Sequence, residues 1–126
     1  MPTDSRPPRI LVIDDEPMIG RVIRRSLAQW DVSVSLSAVE ALERLENGER
    51  FDAIVCDMMM PAMTGSALHA ELARTLPEQA ARMIFVTGGA LTPETVAFVT
   101  EHADRVVSKP FEIAELERRV KERIGG

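Results

Sequence analysis

The chain has 126 residues, enough for one domain with a genuine core and too few for a second folded module inside it. Hydrophobic residues make up 45% and charged residues 28%, the balance of a globular protein rather than a disordered or fibrous one. A net charge of -5 with scattered Lys and Arg argues against a nucleic-acid partner, and the lack of any long apolar run argues against a membrane partner, so a cytoplasmic setting is expected. The single cysteine, Cys56, has no partner for an internal disulfide and reads as a small buried apolar residue.

Residues 1–8 are polar and proline-rich, expected as a flexible tail ahead of a domain spanning 9–126. "RILVID" then predicts a buried strand that ends on acids. Ile19, Val22, Ile23, Leu27 and Trp30 recur at helical spacing, so a helix is expected from Glu16 to about Trp30, with Asp15 as its cap and Pro17 in its first turn. "VSVSL" alternates with period two and predicts a strand. A helix follows over Ala38 to Glu46 with Val39, Leu42 and Leu45 inward, and Asn47-Gly48 supplies the residue types that end helices.

"FDAIVCD" predicts the third strand, and Thr64 caps a helix running to about Arg74. "RMIFVT" is the fourth strand, Thr92 and Pro93 open a fourth helix, and "DRVVSK" is the fifth strand. Glu112 to Ile124 closes the chain as an amphipathic helix with Ile113, Leu116, Val120 and Ile124 inward. Strands alternating with helices through short loops predict an α/β fold with a parallel sheet covered on both faces.

Residues that end parallel strands meet along one edge of the sheet. Asp14 and Asp15 end the first strand, Asp57 the third, Thr87 the fourth and Lys109 the fifth. Open parallel sheets bind ligands outside these ends, where strand order reverses, and an order of 2-1-3-4-5 puts all three carboxylates in one crevice. Each residue also has a plainer reading: Asp14 and Asp15 as helix caps, Asp57 as acceptor of loop amides, Thr87 as a turn cap, Lys109 as a snorkelling surface residue. Their coincidence on one edge favours a site. Clustered carboxylates must hold a proton or recruit a cation, and an all-oxygen ligand set suits a hard ion such as Mg²⁺. A carboxylate so placed can attack phosphorus and form an acyl phosphate, with the lysine neutralising the oxygens and the Thr87 hydroxyl donating to one of them.

From Arg9 to Ile124 the chain resembles the receiver domain of two-component response regulators, on "VIDDE", "DMMMPAMTG", "FVTGG" and "SKPF" in the right order and at the right intervals. The resemblance implies a (βα)5 flavodoxin-like fold with strand order 2-1-3-4-5 and a signalling domain rather than an enzyme. It puts the phosphoacceptor on Asp57, the switch hydroxyl on Thr87 and the phosphate-binding lysine on Lys109. It puts the Mg²⁺ ligands on Asp15, Asp57 and the backbone carbonyl of Met59, with Asp14 acting mainly through water. It implies a histidine kinase or phosphotransfer protein as donor, a cis Lys109–Pro110 peptide and, with no output segment after Gly126, a downstream protein partner. "TGG" and "VVSKPF" are similar to receivers attached to hybrid histidine kinases.

Two positions depart from the family pattern. Val106 stands where an aromatic residue is usual, so a muted or differently routed change is expected on the face formed by the fourth helix, the fifth strand and the last helix. Met59 and Gly89 stand where polar groups often place the hydrolytic water, so slow self-dephosphorylation is expected.

Rival readings are a phosphorylation-independent pseudo-receiver and an aspartate-nucleophile phosphohydrolase of the haloacid dehalogenase type. The latter needs an acid at position 59, where methionine stands. The cluster Met58, Met59, Met60 and Met63 is expected to pack a loop on the core rather than bind a soft metal. His69 and His102 are expected as isolated surface residues, and Trp30 as core or helix-end packing.

Overall fold

A computed structural model describes residues 7–88 and 92–125. Its elements in chain order are β1 (Arg9–Ile13), α1 (Pro17–Ser26), β2 (Asp31–Ser35), α2 (Ala38–Glu46), β3 (Ala53–Asp57), α3 (Gly65–Thr75), α4 (Pro77–Ala80), β4 (Met83–Thr87), α5 (Pro93–Glu101), a 3-10 turn (Ala103–Arg105), β5 (Val106–Ser108) and α6 (Ile113–Gly125). All strands are parallel in the order β2-β1-β3-β4-β5, the order expected. No helix among the described residues is long and apolar enough to cross a membrane.

The inner strands β1, β3 and β4 are buried on both faces and read as continuous apolar runs whose side chains divide by alternation. Leu11, Ile13, Ile54, Cys56, Met83 and Phe85 face α2 and α3, meeting Ala41, Leu45, Leu68 and Leu72. Ile10, Val12, Val55, Ile84, Val86 and Val107 face the other way, against Ile23 and Leu27 from the α1 side and Leu116 and Val120 of α6. Trp30 packs, partly buried, against this second core, in line with its expected place.

Several boundaries differ from the expectations. Helix α1 stops at Ser26, because Leu27 and Trp30 are drawn into the turn that feeds β2, with the Trp30 amide donating to the Leu27 carbonyl. Asp15 does not cap α1; Glu16 occupies that position without a side-chain bond, and its amide donates instead to Asp14 Oδ1 at 2.9 Å. In α2 it is Ala38 and Ala41 that face the sheet beside Leu45, and Val39 is 44% exposed. Ile113, at the start of α6, also faces out. The short helix α4 is a turn that follows α3 after Leu76 with no periodic signal of its own. Residues 103–105 wind into the 3-10 turn, leaving β5 shorter than "DRVVSK" suggests.

Other local signals are realised. Ser37, Thr64 and Thr92 cap α2, α3 and α5 by accepting from the amides of Glu40, Ala67 and Thr95. Gly48, at φ 103°, ends α2 in the left-handed conformation that glycine adopts without a Cβ clash.

Candidate functional site

The strand ends converge as the topology requires. Asp14 follows β1, its amide tied to the Ser35 carbonyl, while Asp57 is the last residue of β3 and the Met58 amide is tied to the Val86 carbonyl. The carboxylates of Asp14, Asp15 and Asp57 offer ligand atoms all within 4.8 Å of one another. Asp14 and Asp57 are buried, and Asp15 is exposed. Lys109 Nζ lies 3.4 Å from Asp57 Oδ2 and 4.0 Å from Asp14 Oδ2. It extends from the chain just beyond β5, whose course is held by the Lys109 amide donating to the Thr87 carbonyl. The Lys109–Pro110 peptide is cis.

Asp57 Oδ1 accepts from the Met59 amide at 3.1 Å, so the loop after β3 folds back over its own carboxylate. Gly65 closes that loop: a Cβ there would stand 2.9 Å from the Asp57 carbonyl oxygen. Met58 and Met60 are buried and Met63 packs on the core, as expected of gap-filling methionines, whereas Met59 is exposed.

Burial raises the Asp14 carboxyl above its ordinary pKa; the Glu16 amide works against this, and the Asp57 charge adds to it. The buried Cys56 thiol is pushed well above the thiol range, by burial first and the neighbouring carboxylates second, so it is inert. Thr87 Oγ1 is buried with no hydrogen-bond partner among the described residues. An orphaned hydroxyl is costly unless another group supplies its partner, and this one ends β4 on the edge that carries the carboxylates. The donor set is all oxygen, the chemistry of a hard divalent cation rather than a soft one. Gly89 lies outside the described residues.

Sequence reasoning missed one cluster. His69 of α3 and His102 after α5 are not isolated surface residues: their rings lie 5.0 Å apart and share a stack with Phe85 and Phe98. Nothing in their spacing, 33 positions apart along the chain, announces the contact, which arises only when α5 folds over β4.

A five-stranded parallel sheet of this order with carboxylates, a hydroxyl and a lysine at one edge defines an open α/β domain with a polar site outside its strand ends, and comparison with known proteins narrows it. Residues 10–121 match the family described as response regulator receiver domain. The chain therefore belongs to the response regulator receiver domain family. It is 37% identical over 120 residues to the response regulator MprA of Mycobacterium sp. (strain KMS), covering 91% of this chain and 50% of that protein. It thus spans about half the length of the curated relatives it matches. A receiver domain protein from Clostridium thermocellum superposes with a TM-score of 0.81 at 28% identity, covering 94% of each chain. The receiver domain of a signal transduction histidine kinase from Syntrophus aciditrophicus is also similar, with a TM-score of 0.78 at 26% identity over 94% of this chain and 91% of that one.

Proposed function

We propose that Asp57 accepts a phosphoryl group from a phosphohistidine on a histidine kinase or phosphotransfer protein. An Asp57 carboxylate oxygen forms the new O–P bond, the P–N bond of the phosphohistidine breaks, and the imidazole leaves with the bonding electron pair and is protonated. The observation that carries this reading is the meeting of Asp57, Lys109 and the unpartnered Thr87 hydroxyl at one sheet edge. Lys109 faces the acceptor carboxylate and offsets charge on the incoming phosphoryl oxygens. Thr87 gains from a phosphoryl oxygen the partner it lacks.

Asp14, Asp15, Asp57 and the Met59 backbone carbonyl would hold Mg²⁺, which when bound neutralises the acid cluster and the phosphoryl oxygens. Beside Gly88 and Lys109 an open cavity of about 680 Å³ is lined by Ile19, Val22, Phe111 and Ile113, an apolar seat for the donor protein next to the acceptor. The Met59 side chain has nothing to hold an attacking water, so the acyl phosphate is long-lived. Val106 packs, partly buried, against the core without an aromatic ring to rotate, so the change on the α5, β5 and α6 face is muted or differently routed.

Intact mass after treatment with phosphoramidate or acetyl phosphate tests the reading. A gain of one phosphoryl group that needs Mg²⁺ and is lost in Asp57→Ala is expected, with slow decay in the absence of any phosphatase. No gain in protein that binds Mg²⁺ favours the pseudo-receiver instead.

A further inference from the structure

Helix α5 is the least buried of the long helices described. Among the described residues it is the one helix longer than a single turn that has no buried residue, whereas α1, α2, α3 and α6 each have at least two. Its hold on the domain is a stack of rings: Phe98 lies edge-on to Phe85 at 4.8 Å and to His69 at 5.6 Å, and His102 lies 4.4 Å from Phe98 and 5.0 Å from His69.

Arg105 closes the stack from below. Its Nη1 donates to the carbonyls of Ala80 at 2.9 Å and Met83 at 3.4 Å, while Nη2 lies 3.3 Å from His69 Nε2 and 3.1 Å from His102 Nδ1. The guanidinium also lies 5.6 Å from the centre of the Phe85 ring. A guanidinium only donates, so both imidazole nitrogens facing it must accept, and both rings must be neutral. One nitrogen with two hydrogens then serves two rings on two different elements.

We propose that His69, His102 and Arg105 form a proton-sensitive latch that holds α5 against the sheet at neutral pH and releases it on mild acidification. Protonating either ring turns the nitrogen facing Arg105 into a donor and sets two cations against each other across a half-buried contact. The charges facing the cluster favour the neutral state. Burial, then Arg105, then His102 depress the His69 pKa, and Glu101 of α5 is the opposing charge. Arg123 of α6 adds positive charge behind Arg105 and is itself 3.9 Å from Asp104. This latch answers to protons with no phosphoryl group on Asp57 required, and it acts on the face through which, on the reading proposed above, the domain would signal.

Amide hydrogen exchange on the whole chain tests the latch, with rates normalised for intrinsic pH dependence. Between about pH 7.5 and 5.5, protection across Val96–His102 should fall roughly tenfold or more while α2 is unaffected, and His69→Gln/His102→Gln should remove that dependence because an amide still accepts from Arg105 without titrating. Equal protection of α5 at both pH values, or the same loss in the double variant, overturns the proposal. Should the double variant not fold, NMR on the wild type decides: Phe98 ring signals must shift with the same midpoint as His69, and a Phe98 ring blind to that titration overturns it too.

Discussion

Asp14→Asn tests the electrostatics of the acid cluster directly. The Asp14 carboxylate is 3% exposed, and its oxygens belong to a set lying within 4.8 Å of one another. Two like charges at that spacing repel by about 3.5 kcal/mol at an effective dielectric near 20 and by about 0.9 kcal/mol in bulk water. Lys109, 4.0 Å away, offsets part of this, and asparagine keeps an oxygen to accept from the Glu16 amide. In the absence of divalent metal the variant should therefore be more stable by about 1–2 kcal/mol, a rise in Tm of about 4–8 °C for a domain of this size.

The pH dependence of that gain has a definite sign. Because the Asp14 carboxyl is raised in the fold, the folded protein binds this proton more tightly than the unfolded one, and the contribution to stability falls as pH rises through the window between the ordinary and the raised value. The advantage of the variant should be full at neutral pH and vanish in acid. Thermal unfolding by circular dichroism in EDTA across this range measures it, and added Mg²⁺ should stabilise the wild type more than the variant and close the gap. A variant that melts at or below the wild type in EDTA at neutral pH would refute the reasoning.

Three further substitutions follow from local geometry. Ala62 sits at φ 70°, a left-handed conformation that costs a residue with a Cβ about 1 kcal/mol, so Ala62→Gly should raise stability in urea unfolding by up to that amount, offset partly by unfolded-chain entropy. Gln79 is buried and bonds both to the Phe51 amide at 3.0 Å and to its carbonyl at 3.1 Å; Gln79→Ala strands two buried backbone groups and should cost about 2–4 kcal/mol by the same assay. A Cβ at Gly88 would stand 2.9 Å from Lys109 Cβ, so Gly88→Val should displace the lysine and slow phosphorylation by small donors roughly 10- to 100-fold, read by intact mass over time, with Tm little changed.

Strand identity and the gathering of Asp14, Asp15, Asp57, Thr87 and Lys109 were legible because the ends of parallel strands share one edge, whereas the strand order was legible through the resemblance to receiver domains. The inner strands β3 and β4 are buried on both faces, so they read as apolar runs, and the residue that ends each run must lie at the shared edge. The helices were less legible where tertiary contacts overrule local pattern. Val39 and Ile113 look inward on apolarity alone, yet in α2 small alanines take the places nearest the sheet. The end of α1 was misread because Leu27 and Trp30 stay on the core side while leaving the helix, which keeps the apolar spacing without the helical backbone.

The ring cluster under α5 was illegible for a different reason, and that reason bears on how the domain would signal. The acid edge is fixed by strands whose side chains are almost fully buried, whereas α5 is held by half-buried rings and one guanidinium. A perturbation at Thr87, the last residue of β4, has two directions in which to spread: into the sheet, where every neighbour is packed, or along the chain toward α5, where few are. Close-packed interiors resist displacement, so the strain passes to the weaker contact. With Val106 in place of an aromatic residue, the rings best placed to move are Phe98 and His102 on the α5 side, and their repacking against His69 and Phe85 is the change that phosphorylation would drive. Phosphorylated and unmodified protein should then differ most in the Phe98 and His102 ring signals. An unchanged ring cluster beside a shifted α6 would show that the strain travels through β5 instead.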